Sequence, residues 1–126
     1  MDEKKGCSIG DEFWNAMVDE AKRQKELPTI RANILDAAKA CVCGKREDDY
    51  GTPEDNFGVI AKLWTAYTGA KIEPQDVAAM MILLKIGRIS SGSLSRDNWI
   101  DVAGYAACGG EILENKCRKE VENGAD

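Results

Sequence analysis

The sequence predicts an all-α fold, a compact bundle of four to five helices that assembles as an oligomer. Apolar residues recur at helical spacing along the chain, whereas Val, Ile and Thr never gather into an alternating run. Helix start and stop signals also bracket the periodic stretches.

The first helix is expected from about Asp11 to Lys25, with Phe13, Trp14, Met17, Val18 and Ala21 on one stripe. It ends before Leu27-Pro28, and Pro28 suits the first turn of a second helix. That helix runs to about Val42, with Ile30, Ile34, Ala37, Ala38 and Cys41 on one face, and Gly44 stops it. After a charged loop, Thr52-Pro53-Glu54-Asp55 starts the third helix. Thr52 can accept backbone N–H bonds, Pro53 has its φ already set, and the acids favour the positive helix end. Phe57, Ile60, Ala61, Trp64 and Tyr67 form its stripe, and Gly69 ends it. Glu73-Pro74-Gln75-Asp76 opens the fourth helix. It is apolar nearly all round from Val77 to Ile89 and is expected to be central and buried. After the loop Ser90–Ser95, the fifth runs from about Arg96 to Lys119. Trp99, Val102, Ala103, Ala106, Gly110 and Leu113 point one way, and Asp97, Asp101 and Tyr105 the other. The domain reading is therefore an N-terminal helix at 1–27, either an appendage or a subunit contact, a bundle at 28–120 and a frayed tail at 121–126.

Composition narrows the function classes. One domain of 126 residues, 44% apolar and 31% charged, can bury a core and stay soluble. Net charge is −5, which argues against a nucleic-acid partner, since phosphate backbones are held by surplus Lys and Arg. No apolar run suits a membrane span, and the start, MDEKKGCSIG, lacks a signal peptide's apolar stretch. Histidine is absent, which removes Ser-His-Asp and Cys-His catalysis and histidine metal ligands. Five cysteines without a C-x-x-C pair read as reduced thiols in a cytoplasmic protein.

Three groups of polar residues stand out. Asp49-Tyr50-Gly51 places a carboxylate and an aromatic ring beside a positive helix end; a solvated turn is the plainer account. Lys85 and Arg88 interrupt an apolar helix one turn apart. Each needs an anion, either an internal carboxylate such as Asp97 or Asp101 or a ligand phosphate. Asp97 and Asp101 are also one turn apart, with Tyr105 a turn further. They can hold Mg²⁺ or anchor cations, or line a solvated face, although Gly104 and Ile112 nearby point to a covered one.

These residues carry a resemblance. Asp49-Tyr50-Gly51-x-Pro53-Glu54-x-Asn56-Phe57, Asp76-Val77-Ala78-x-Met80-Met81, Lys85-x-x-Arg88 and Asp97-x-Trp99-x-Asp101-x-Ala103-Gly104-Tyr105-Ala106 resemble a phage and prophage family of unknown function, over about residues 32 to 114. More remotely, the chain is similar to all-α MazG-like nucleotide pyrophosphohydrolases and phage nucleotide-modification-associated domains. The MazG-like enzymes hold Mg²⁺ with E-E-x-x-E and E-x-x-D, and this chain has only Glu73-x-x-Asp76, across a helix start.

Two functions are expected from different classes. The first is capture of a nucleotide or cyclic-nucleotide-like ligand without a cofactor. Such a module could sequester a host immune signal in the host cytoplasm, as an oligomer. Its ligand residues would be Asp49, Tyr50, Gly51, Asn56, Lys85, Arg88, Asp97, Asp101 and Tyr105. The second is a Mg²⁺-dependent pyrophosphohydrolase with Asp76, Asp97 and Asp101 as metal ligands. A third reading is a protein–protein adaptor whose charges are structural.

Overall fold

A computed structural model describes residues 10–23, 29–44 and 51–124. Among these residues the chain is all helical, with five helices and no strand. They are α1 (Asp11–Arg23), α2 (Ile30–Val42), α3 (Pro53–Thr68), α4 (Pro74–Ser90) and α5 (Arg96–Asn123).

Thr52 caps α3 as expected, its Oγ1 accepting the Asp55 N–H at 3.2 Å. Helix α2 starts later than expected, at Ile30, where Thr29 Oγ1 accepts the Ala32 N–H at 3.2 Å. Gly69 ends α3 in the left-handed conformation, φ 75°, where a side chain would be strained. Helix α5 runs through Val121, Glu122 and Asn123, past the end expected at Lys119.

The core has two parts. Phe57 and Ala61 of α3, Val77 and Ala78 of α4, and Cys108 and Ile112 of α5 form one cluster. Ala37, Ala38 and Cys41 of α2 with Ile100 of α5 form the other, against which Trp14 and Met17 of α1 pack. Helices α4 and α5 are antiparallel partners, because Lys85 meets Asp101 while Glu73, at the other end of α4, meets Lys116.

Two expectations are corrected. Helix α4 is not buried all round: α5 covers one side, but Met80, Leu83, Leu84 and Ile86 on other sides are 40–64% exposed. Helix α5 buries the face opposite to the one its large apolar residues suggest. Ile100, Gly104, Cys108 and Ile112 face inward, while Trp99 and Leu113 are about half exposed. Glycine decides this. A Cβ on Gly104 would stand 3.1 Å from Val42, and one on Gly109 3.0 Å from Ala78. The smallest side chain allows α5 to approach its neighbours closely, and a larger residue on that side would hold the helices apart. For the same lack of cover, Tyr67 and Ile30 leave their expected stripes for solvent.

The expectation of five reduced cysteines is also corrected. Cys41 is disulfide-bonded, while Cys43, Cys108 and Cys117 form no disulfide.

Candidate functional site

Lys85 and Asp101 meet where α4 and α5 face each other. Lys85 Nζ lies 2.8 Å from an Asp101 carboxylate oxygen, and the two side chains are 10% and 13% exposed. Of the two fates open to Lys85, an internal carboxylate and a guest's phosphate, the fold supplies the first. Desolvating two charges costs several kcal/mol per ion in rough terms, and their mutual attraction offsets it when the contact is short.

Arg88, one turn on, stands apart. It is exposed and lines an open groove of about 440 Å³ with Leu84, Gly87, Ser91 and Ser93. Among the described residues no carboxylate forms an ion pair with it. The groove's polar wall comes from the turn between α4 and α5. Ser91 Oγ donates to the Gly87 carbonyl at 2.9 Å. Ser93 Oγ accepts from Asn98 Nδ2 at 2.9 Å, so its own hydroxyl proton is available to another acceptor. In the sequence, Ser90–Ser95 has only the composition of a loop and Asn98 belongs to no motif. Buried at 5% exposure, Asn98 is the residue that fixes Ser93. A polar residue directly before Trp99 and Ile100 was the available signal.

The other expected ligand residues do not converge on this groove. Tyr105 packs its ring on Phe57, with centroids 6.2 Å apart and planes tilted by 39°, a core contact of ordinary aromatic geometry. Gly51, at φ 81°, and Asn56 belong to the start of α3, beside that contact. Asp97 is in the first turn of α5, half-buried, with its N–H on Ser95 Oγ at 3.2 Å. Asp49 and Tyr50 lie outside the described residues.

The carboxylates expected to share Mg²⁺ are separated. Asp76 accepts the Glu73 N–H at 2.9 Å, which makes it a cap for α4. Glu73 in turn binds Lys116 at 3.2 Å. Lys116 lies fifteen residues beyond Asp101 on the same helix, roughly 22 Å at 1.5 Å per residue. Asp76 is therefore at the opposite end of the α4–α5 pair from Asp97 and Asp101. Among the described residues no group of three His, Cys, Asp or Glu is placed to hold a metal ion.

Around Glu73 the electrostatics are those of an exposed ion pair. The hydrogen bond from Lys116, helped by one from Gln75, holds the Glu73 carboxyl below its ordinary range, and Glu73 raises Lys116 in return. Glu54 raises Lys119 in the same way, through a 2.8 Å contact. Near the N-terminus of α5, Arg96 bonds Asp11 and lies 4.6 Å over the Trp14 ring, which ties α1 to α5.

The fold and this charge pattern define a small helical protein in which ion pairs among the described residues hold α1, α3 and α4 to α5. The chain belongs to the family described as "Domain of unknown function (DUF6378)", whose model matches residues 33–113. It is similar to the "Gene 55 protein" of Mycobacterium phage D29, 40% identical over 88 residues that make up 70% of this chain and 58% of that protein. It is also similar to the "Gene 55 protein" of Mycobacterium phage L5, 45% identical over 75 residues, 59% of this chain and 48% of that protein. The chain thus spans about half the length of the curated relatives it matches. No solved structure matches it. No helix among the described residues is long and apolar enough to cross a membrane.

Proposed function

We propose that the chain binds a phosphate-bearing, nucleotide-like small molecule and holds it without turning it over. The observation that carries this reading is Arg88, an exposed guanidinium without an ion-pair partner among the described residues, on a groove that also offers the Ser93 hydroxyl. Its planar fork suits phosphate oxygens. A volume of about 440 Å³ falls within the span of small-molecule sites. Capture fits better than hydrolysis because Asp76 lies far from Asp97 and Asp101, so that carboxylate set cannot bridge one metal ion and a scissile phosphate. By analogy, relatives in phages favour a ligand of the infected host, such as a nucleotide immune signal in its cytoplasm.

The adaptor reading has one observation of its own: Lys85 is already neutralised by Asp101. The experiment separates the readings. The protein is incubated with nucleoside mono- and triphosphates and cyclic dinucleotides, with and without Mg²⁺. Small molecules are recovered after heat release, and affinity is read by calorimetry. Capture returns the ligand intact, and Arg88→Met weakens binding about tenfold or more, near 1.4 kcal/mol, with the melting temperature little changed. A monophosphate product supports hydrolysis. Neither retention nor turnover leaves the adaptor.

A further inference from the structure

Helix α4 carries an apolar stripe that the described residues leave uncovered. Met80 is 40% exposed, Leu83 64% and Leu84 45%, and Gly87 follows at the spacing that puts all four on one face. Ala78 and Lys85, buried on the other side, face α3 and α5. Nothing lies within 4 Å of where a Cβ on Gly87 would stand. No packing among the described residues therefore requires this glycine, although glycine inside a helix costs about 0.5–1 kcal/mol relative to alanine.

We propose that this face binds a second copy of the chain, α4 against α4 and antiparallel, about a two-fold axis between Leu83 and Leu84. The stripe is self-complementary about that point, as a two-fold interface must be. Leu83 meets the partner's Leu84, and Met80 fills the space over the partner's Gly87. Charge agrees: exposed Asp76 lies toward one end of the stripe and exposed Arg88 toward the other, so antiparallel pairing brings each toward its opposite.

The dimer stands without the ligand reading, but one consequence rests on it. Leu84, Gly87 and Arg88 line both the stripe and the groove, so the first half of the partner's α4 supplies the groove's missing wall. Arg88 has five N–H donors, enough for a carboxylate and a ligand oxygen together.

The test is the mass of the full chain by light scattering and sedimentation, expected at twice 13.8 kDa. Leu83→Glu and Gly87→Leu should each give a monomer with unchanged helical circular dichroism, because both positions face open space. Met80→Ala added to Gly87→Leu should restore the dimer by exchanging knob and hole. A monomeric parent chain, a dimer that survives both single variants, or no restoration by Met80→Ala overturns the proposal. If Leu83→Glu fails to fold, the Gly87→Leu pair decides. Ligand binding is scored separately with Arg88→Met, so a dimer that binds no nucleotide refutes the ligand reading alone.

Discussion

A lysine that is only 8% exposed requires a partner, and the identity of that partner changes what a mutation at position 85 does. From sequence, with Lys85 facing a ligand, replacing both Lys85 and Arg88 by Met leaves the fold intact or firmer. With Asp101 as partner, Lys85→Met strands a carboxylate between α4 and α5. Lys85→Met and Asp101→Leu are each expected to destabilise by ~3–5 kcal/mol, whereas the double variant returns close to the parent. Urea midpoints of the four proteins check this. The sequence supplied both charges and the need to pair them. Lys85 could have met either Asp97 or Asp101, and the side-by-side register of α4 and α5 selected Asp101.

At the scale of the element, the glycines of α5 do the sorting. Gly109 places its backbone where a Cβ would touch Ala78 at 3.0 Å. Gly109→Val is expected to push α5 off α4 and cost ~1–3 kcal/mol, the usual penalty of overpacking, read as a lower melting temperature. Helix existence and most caps were legible before the structure, because Thr52-Pro53, Glu73-Pro74 and Gly69 act within a turn of their own position. The inward face was legible on α2 and α3, whose Ala37, Ala38, Cys41, Phe57 and Ala61 are buried as their stripes predict, whereas on α5 only Gly104 and Ile112 hinted at it. Trp99 and Leu113 marked one side of α5 as apolar, and the packed side is the one with Gly104 and Gly109. A hydropathy pattern weighs side-chain size, whereas close helix packing here depends on its absence.

For the whole molecule, pH acts at the two ends of the scale. Without histidine, little titrates between about pH 5 and 8, so stability should be flat there. Glu73 is held below its ordinary range by Lys116. Its contribution is present above the unfolded carboxylate range and disappears as pH falls through the folded value. Lys116 and Lys119 are raised, so theirs is present below the ordinary lysine range and disappears as pH rises through the folded values. In melting curves across pH, the gap between the parent and Glu73→Gln should be constant near neutrality and shrink in acid. Glu73 with Lys116 and Lys85 with Asp101 fasten the α4–α5 pair near its two ends, and the candidate groove at Arg88 lies at the Asp101 end.

The sequence by itself determined five helices, most of their caps and the presence of two cations in an apolar helix, because capping and periodicity are local. Only the tertiary structure decided which cation is neutralised, which faces stay uncovered, and that Asp76 lies far from Asp97 and Asp101. Those outcomes depend on how residues distant in the chain are brought side by side, and glycine contacts and helix direction set that arrangement without leaving a periodic trace.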